Sequence, residues 1–103
     1  MEAQKSGLRI VKQGDILFRE DDKAESLFII QKGLIRLFRP KGSGFVDINI
    51  LRVGEVIGEM AYFDKKSRQR SCSASALVET EIIEVSFVVL DKLIKGLNPW
   101  FKT

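Results

Sequence analysis

The sequence predicts a mainly β protein, an antiparallel sandwich or barrel followed by one short α-helix. Short apolar runs separated by turn residues succeed one another through about residue 85. After that point the apolar residues recur at helical spacing. Short strands with glycine punctuation are typical of antiparallel sandwiches and barrels. With 103 residues, the chain is expected to form one domain, residues 1–103, with strands over about 8–85 and a helix over about 86–97.

Each apolar run between turn signals is an expected strand. Lys32 and Gly33 separate two of the runs and resemble the two-residue connection of a β-hairpin. A later run alternates with polar residues, which places Val46, Ile48 and Ile50 on one face of a strand. The expected strands cover residues 8–11, 16–18, 27–31, 34–38, 45–51, 71–77 and 81–85.

The expected helix begins after Ser86, whose side chain is suited to an N-cap. Gly96 and the Asn-Pro pair that follows weaken and then end it. The apolar stripe consists of Phe87, Leu90, Ile94 and Leu97. This stripe is expected to pack on the β layer.

The composition argues for binding rather than catalysis. The chain has no histidine, which removes imidazole acid–base chemistry and imidazole metal ligands. Its single cysteine, Cys72, cannot form an internal disulfide, which favours a reducing, cytoplasmic compartment. The net charge of +3 favours an anionic partner only weakly. No enzyme, metal site or cofactor is therefore expected, and no apolar run is long enough for a membrane span.

The most informative motif is Gly58-Glu59-Met60-Ala61, followed eleven positions after Glu59 by Arg70-Ser71. It places one carboxylate and one guanidinium at the two ends of a short connection. A carboxylate accepts a hydrogen bond from a sugar hydroxyl, and a guanidinium pairs with phosphate oxygens. The motif therefore indicates a site for a phosphorylated sugar.

Residues 54–76 around this motif resemble the phosphate-binding cassette of cyclic nucleotide-binding domains. That family includes bacterial catabolite activator proteins and the regulatory subunits of cyclic-AMP-dependent kinases. The resemblance covers roughly residues 8–100 and implies an eight-stranded antiparallel jelly roll (a double-stranded β-helix). The chain departs from the family at Asp21, where glycine is usual, and at Cys72, where alanine is usual. Aspartate tolerates the left-handed region better than most residues, so the turn at Asp21 is still expected to form. The spacing from Glu59 to Arg70 is also a residue or two longer, which makes Arg68 the competitor for the phosphate.

The resemblance implies a role for each cassette residue. Gly58 lets the backbone approach the ligand, and Glu59 accepts a hydrogen bond from the ribose 2′-hydroxyl. Residues 60–62, beginning with Met60 and Ala61, form a short helix whose N–H groups point at the phosphate. Arg70 and Ser71 bind the phosphate oxygens.

The resemblance also implies that binding is relayed to the C-terminal helix. An apolar cassette residue, Tyr62 or Phe63, is expected to shift against Phe87 and Leu90. The family usually has a further helix that closes over the base, and the chain is expected to lack it. The expected function is thus a regulatory module for an effector domain or partner protein outside this chain.

Three interpretations remain open from the sequence. The first is a cyclic nucleotide sensor, with cyclic AMP as the default ligand and cyclic GMP as the second option. The second is a β-roll that kept the fold, no longer binds nucleotide and serves in protein interaction. The third is a nucleic-acid binder that uses the basic loop of Lys65, Lys66, Arg68 and Arg70. Against it stands the lack of interleaved aromatic residues for base stacking.

Overall fold

Two four-stranded antiparallel sheets and two short helices make up the fold. The structure is a computed structural model that describes residues 6–96. The elements, in chain order, are β1 (Ser6–Val11), β2 (Ile16–Phe18), β3 (Ser26–Lys32), β4 (Ile35–Lys41), β5 (Gly44–Leu51), β6 (Val56–Ile57), α1 (Glu59–Phe63), β7 (Ser73–Ala76), β8 (Thr80–Ser86) and α2 (Phe87–Lys95). The predicted mainly β class, with a short C-terminal helix, is confirmed.

The two sheets exchange strands along the chain, as expected of a jelly roll. One sheet has the order β1-β8-β3-β6 and the other the order β2-β7-β4-β5. Apolar side chains of both sheets form one buried core, in which Ile30 and Ile82 come from the first sheet and Ile35 and Ala74 from the second. These four side chains are fully buried.

The hairpin predicted at Lys32 and Gly33 is wrong. β3 and β4, on either side of it, belong to different sheets. The connection is fixed by a distant residue, because the hydroxyl of Thr80 accepts from the backbone N–H of Leu34 at 3.2 Å and donates to the carbonyl of Val78 at 2.8 Å. Gly33 has φ 105° and lies so close to Thr80 that a side chain would overlap it. The glycine therefore marks a crossing from one sheet to the other.

The alternation predicted in β5 is interrupted. β5 pairs with β4 through Ile50 opposite Arg36 and Val46 opposite Arg39, with a register shift between them at Ile48. Because their partners are three positions apart on one strand, Val46 and Ile50 lie on opposite faces of the sheet. The predicted single apolar face of β5 is therefore wrong.

The C-terminal helix α2 begins where the sequence predicts. The hydroxyl of Ser86 accepts from the backbone N–H of Val89 at 3.1 Å, which makes it the N-cap. The helix ends at Lys95 with Gly96 as its C-cap. Leu97, the last member of the predicted stripe, lies outside the described residues.

Asp21 confirms the expectation that aspartate can replace the usual glycine in its turn. Its φ is 72°, in the left-handed region that aspartate tolerates better than most residues. Its backbone N–H donates to the carbonyl of Arg70 at 2.9 Å, and the backbone N–H of Arg70 donates to the carbonyl of Asp22 at 2.8 Å. This turn therefore fixes the backbone of Arg70 beside the N-terminal strands.

Candidate functional site

A cavity of about 570 Å³ opens between the sheet containing β4 and β5 and the segment that carries the cassette motif. That volume lies within the roughly 300–1,000 Å³ of small-molecule sites. The motif residues in its wall are Gly58, Glu59, Met60, Ala61, Arg70 and Ser71. The fold therefore brings all six predicted ligand residues around a single space.

Gly58 begins the cassette in a conformation that few other residues adopt. Its φ is 85°, and it is the residue before α1, the five-residue helix Glu59–Phe63. A Cβ atom at this position would overlap Nη1 of Arg70. Sequence reasoning assigned the small size of Gly58 to close approach by a ligand, whereas in this structure the group that approaches it is the guanidinium of Arg70.

Arg70 is buried, with 5% of its surface exposed. Its Nη2 donates to the backbone carbonyl of Ser26 at 2.7 Å. The guanidinium carbon lies 4.2 Å from the ring centroid of Phe18 and 5.5 Å from that of Phe28. Arginine is suited to such a place because its planar cation stacks on aromatic faces.

The guanidinium of Arg70 is nevertheless incompletely satisfied. Its Nε and Nη1 are buried and have no hydrogen-bond partner within residues 6–96. Burial lowers the pKa of Arg70, and the nearby charges of Glu84 and Asp22 partly offset this effect. A buried cation with free donors is costly unless an anion pairs with it. The buried guanidinium of Arg70 therefore has two nitrogen atoms whose N–H groups remain without an acceptor among the described residues.

The other motif residues differ in exposure. Met60 is 71% exposed, Ser71 is exposed, and Glu59 is half-buried. Ala61 is buried, and it packs with Tyr62 and Phe87 in a second apolar cluster. Glu59 and Ser71 are therefore accessible from the cavity, whereas Ala61 holds α1 against the second apolar cluster.

The residues predicted to relay binding separate into two groups. Tyr62 is 7% exposed, and its ring centroid lies 5.2 Å from that of Phe87 at the start of α2. Leu90 is half-buried against the same cluster. Phe63 is 73% exposed and contacts Tyr62 edge-on at 5.3 Å. Of the two cassette aromatics, Tyr62 is thus the one packed on α2.

Sequence reasoning missed the side of the cavity that the second sheet supplies. Leu37 of β4 and Asn49 of β5 are paired in this wall, and the cavity is also lined by Val56, in β6 of the first sheet, and by Gln69, next to Arg70. Asn49 carried a signal, since it is a polar residue inside an apolar strand. Leu37 and Val56 were not identifiable, because their position depends on which strands share a sheet.

Cys72 also lines the cavity and is buried. Burial raises the pKa of its thiol, with smaller opposing effects from Arg39 and the hydrogen bond to Ser71. A thiol of this kind is a small packing residue rather than a nucleophile. Among residues 6–96, no three side chains of the metal-binding types are grouped to hold an ion.

The family model of the cyclic nucleotide-binding domain matches residues 8–96 of this sequence. The chain belongs to the cyclic nucleotide-binding domain family. The match includes both sheets, the cavity, the cassette and α2. No helix in the described part of this domain is long and apolar enough to cross a membrane.

Known proteins similar to this domain include bacterial regulators. The cyclic AMP receptor protein of Thermus thermophilus is 34% identical over 76 residues, which are 73% of this chain and 34% of that protein. The chain thus spans about a third of that relative. The crystal structure of the Thermus thermophilus catabolite activator protein superposes with a TM-score of 0.79 at 31% identity, covering 87% of this chain and 42% of the other.

The EAL enzyme Bd1971 contains a similar domain. Its cAMP-bound form superposes with a TM-score of 0.77 at 26% identity over 90% of this chain and 25% of that one. Its cGMP-bound form gives the same TM-score and identity over 88% of this chain and 24% of that one. In that enzyme a domain of this fold is part of a much longer chain.

Proposed function

We propose that this domain is a cyclic nucleotide sensor that binds cyclic AMP in the cavity and passes a conformational signal to α2. Cyclic GMP is the second candidate ligand. The observation that carries the proposal is the buried guanidinium of Arg70, whose Nε and Nη1 lack partners in the described part of the chain. A cyclic nucleotide phosphate has one negative charge and free oxygens, which complement these donors.

The phosphate supplies the largest share of the binding energy in this proposal. Hydrogen bonds to charged groups contribute roughly 1.5–3 kcal/mol each. Two such bonds, from Nε and Nη1 of Arg70, would contribute on the order of 3–6 kcal/mol before losses from the ordering of the ligand. The unpaired cation is already desolvated, so part of the cost of binding is met in the folded protein.

Ribose and base occupy the rest of the cavity in this proposal. Glu59 is half-buried in the cavity wall, where its carboxylate can accept the bond of the 2′-hydroxyl. The base then faces the wall formed by Leu37, Asn49 and Val56. The apolar members of this wall suit a purine ring. The similar enzyme Bd1971 has been solved in a cAMP-bound and in a cGMP-bound form.

Signal transmission uses the contact between the cassette and α2. Tyr62 belongs to α1 and its ring packs on that of Phe87, so a movement of the cassette changes the packing under α2. A ligand biases this packing only as far as its affinity differs between the two arrangements. The output is exerted on an effector domain or a partner protein.

Calorimetric titration with cyclic AMP, cyclic GMP and 2′-deoxy cyclic AMP tests the proposal. The wild type is expected to bind the first two. Arg70→Ala is expected to bind them with an affinity that is lower by about 10- to 100-fold or more. Glu59→Ala is expected to lose the preference for cyclic AMP over its 2′-deoxy analogue. Lys66→Ala, in the same loop but exposed, is the matched control and retains wild-type affinity.

Two results would contradict the proposal. Absence of heat and of thermal stabilisation with millimolar cyclic AMP and cyclic GMP would show a β-roll that no longer binds nucleotide. Undiminished affinity in Arg70→Ala would show that the nucleotide binds elsewhere.

A further inference from the structure

Arg68, two residues before the proposed phosphate ligand, turns away from the cavity. Its neighbours Ser67 and Gln69 line the cavity, whereas the guanidinium of Arg68 lies over two aromatic rings on the side of α2. The guanidinium carbon is 4.8 Å from the ring centroid of Phe87 and 5.4 Å from that of Tyr62. Arg68 therefore has a different role from the competing phosphate ligand that the sequence indicated.

The backbone holds Arg68 in this orientation. Its φ is 48°, a left-handed conformation that is rare for a side-chain-bearing residue. The N–H of Arg68 donates to the carbonyl of Asp64 at 3.1 Å, and its carbonyl accepts from Ala24 at 2.8 Å. Such a conformation persists only where the surrounding contacts enforce it, and it commonly occurs at switch regions.

A second link joins the same two elements. The hydroxyl of Tyr62, in α1, donates to Oδ1 of Asp91, in α2, at 2.6 Å. Tyr62 thus contacts the Arg68 cation through its ring and donates a hydrogen bond to Asp91 of α2 through its hydroxyl. The Nε of Arg68 is buried without a hydrogen-bond partner in residues 6–96, so the rings hold the guanidinium in place of an acceptor.

The two arginines of this segment stack in different aromatic clusters. Arg70 stacks on Phe18 and Phe28, which belong to the main core, and Arg68 on Tyr62 and Phe87, in the second cluster. Residues 68–70 form one short backbone segment, which is hydrogen-bonded to residues 21–24 at both of its arginines. A ligand that moves the guanidinium of Arg70 therefore acts two residues away from Arg68, whose cation contacts Phe87 of α2.

We infer that Arg68 is a positioning residue that, together with the Tyr62–Asp91 hydrogen bond, fastens α2 to the cassette and relays nucleotide binding to it. The inference rests on the proposed function for its ligand, but the fastening itself is a property of the nucleotide-free protein. Both links act on the first turns of α2, at Phe87 and Asp91.

Hydrogen exchange of the amides of Phe87–Lys95 tests the inference, with and without saturating cyclic AMP. Arg68→Met keeps the aliphatic length and removes the cation, while Arg68→Lys keeps the charge. Without nucleotide, Arg68→Met is expected to exchange roughly 2- to 30-fold faster in α2, the range that one cation–π contact supplies. Arg68→Lys is expected to restore part of the protection, and the exposed control Lys66→Ala to change nothing.

The nucleotide response is the second readout. Cyclic AMP is expected to change α2 exchange in the wild type and to change it much less in Arg68→Met, although that variant still binds. Wild-type exchange and wild-type response in Arg68→Met would overturn the inference. Failure of the wild type to bind nucleotide would overturn the proposed function and the relay with it, and the exchange without nucleotide would then report on the fastening alone.

Discussion

Gly58 provides a sharp test of how the site is built, because another glycine matches its backbone without touching the site. Gly58 has φ 85° and Gly54 has φ 90°, so alanine is strained at both positions. A Cβ on Gly54 would meet no atom within 4 Å, whereas a Cβ on Gly58 would overlap the guanidinium of Arg70. The pair Gly58→Ala and Gly54→Ala therefore separates backbone strain from displacement of the arginine.

The expected magnitudes follow from these contacts. A left-handed alanine costs roughly 1–2 kcal/mol, which is the whole loss expected for Gly54→Ala. Gly58→Ala also pushes Arg70 off the carbonyl of Ser26, a charged hydrogen bond contributing about 1.5–3 kcal/mol. Its free energy of unfolding is therefore expected to fall by about 2.5–5 kcal/mol.

Urea unfolding of both variants measures this difference, and titration with cyclic AMP measures its effect on the site. Gly58→Ala is expected to bind more weakly than Gly54→Ala, which retains the position of Arg70. In the Arg70→Met background, the loss of unfolding free energy that Gly58→Ala shows beyond Gly54→Ala is expected to disappear. A double-mutant cycle of Gly58→Ala and Arg70→Met would report this difference as a coupling energy. Equal stability losses for the two alanine variants would refute the proposed clash.

Two further predictions use residue types that occur once in the chain. Cys72, the single cysteine, is expected to react slowly with iodoacetamide at neutral pH, because burial raises the pKa of its thiol, and quickly after unfolding in urea; fast reaction of the folded protein would contradict its burial. Tyr62, the single tyrosine, is expected to ionise above its usual pKa of 10.0 in an absorbance titration, chiefly because its hydroxyl donates to Asp91, and Asp91→Ala is expected to lower that pKa. Because the hydrogen bond to Asp91 favours the neutral phenol, its contribution to folding stability is fully present below pH 10 and is lost as the pH rises through the pKa of Tyr62 in the folded protein. The same Tyr62 pKa in the wild type and in Asp91→Ala would contradict the hydrogen bond.

The sequence was sufficient to locate every element except the two-residue strand β6 (Val56–Ile57), because the signals of the others are local. Apolar runs marked the strands, and Ser86 marked the start of α2 through a cap that forms within one turn. The tolerance of Asp21 for the left-handed region was also a local property, and its φ of 72° agrees. Such features depend on a few neighbouring residues and on the sterics of the backbone.

The partners of the strands were beyond the sequence, and so was half of the cavity. Lys32 and Gly33 have the composition of a hairpin turn, but the contact with Thr80 sends β4 to the other sheet. That decision places Leu37 and Asn49 opposite the cassette. No local pattern could supply it, because it depends on residues more than forty positions apart.

The arginines illustrate the same limit within the cassette. The motif identified Arg70 from its place before Ser71, but its partner, the carbonyl of Ser26, belongs to a different element. Arg68 and Arg70 are the same residue type two positions apart, and only the fold shows that one faces the cavity and the other α2. Identical side chains thus acquire different roles from the backbone angle at one residue.

The most direct test of the proposed site is the Nε–H resonance of Arg70 in a proton–nitrogen correlation spectrum, assigned by its loss in Arg70→Lys. This group is buried and has no partner among the described residues. Cyclic AMP is expected to shift the resonance and to slow its exchange with water, while adenosine, which has no phosphate, leaves it unchanged. A resonance that stays in place at saturating cyclic AMP, or that responds equally to adenosine, would contradict phosphate binding by Arg70.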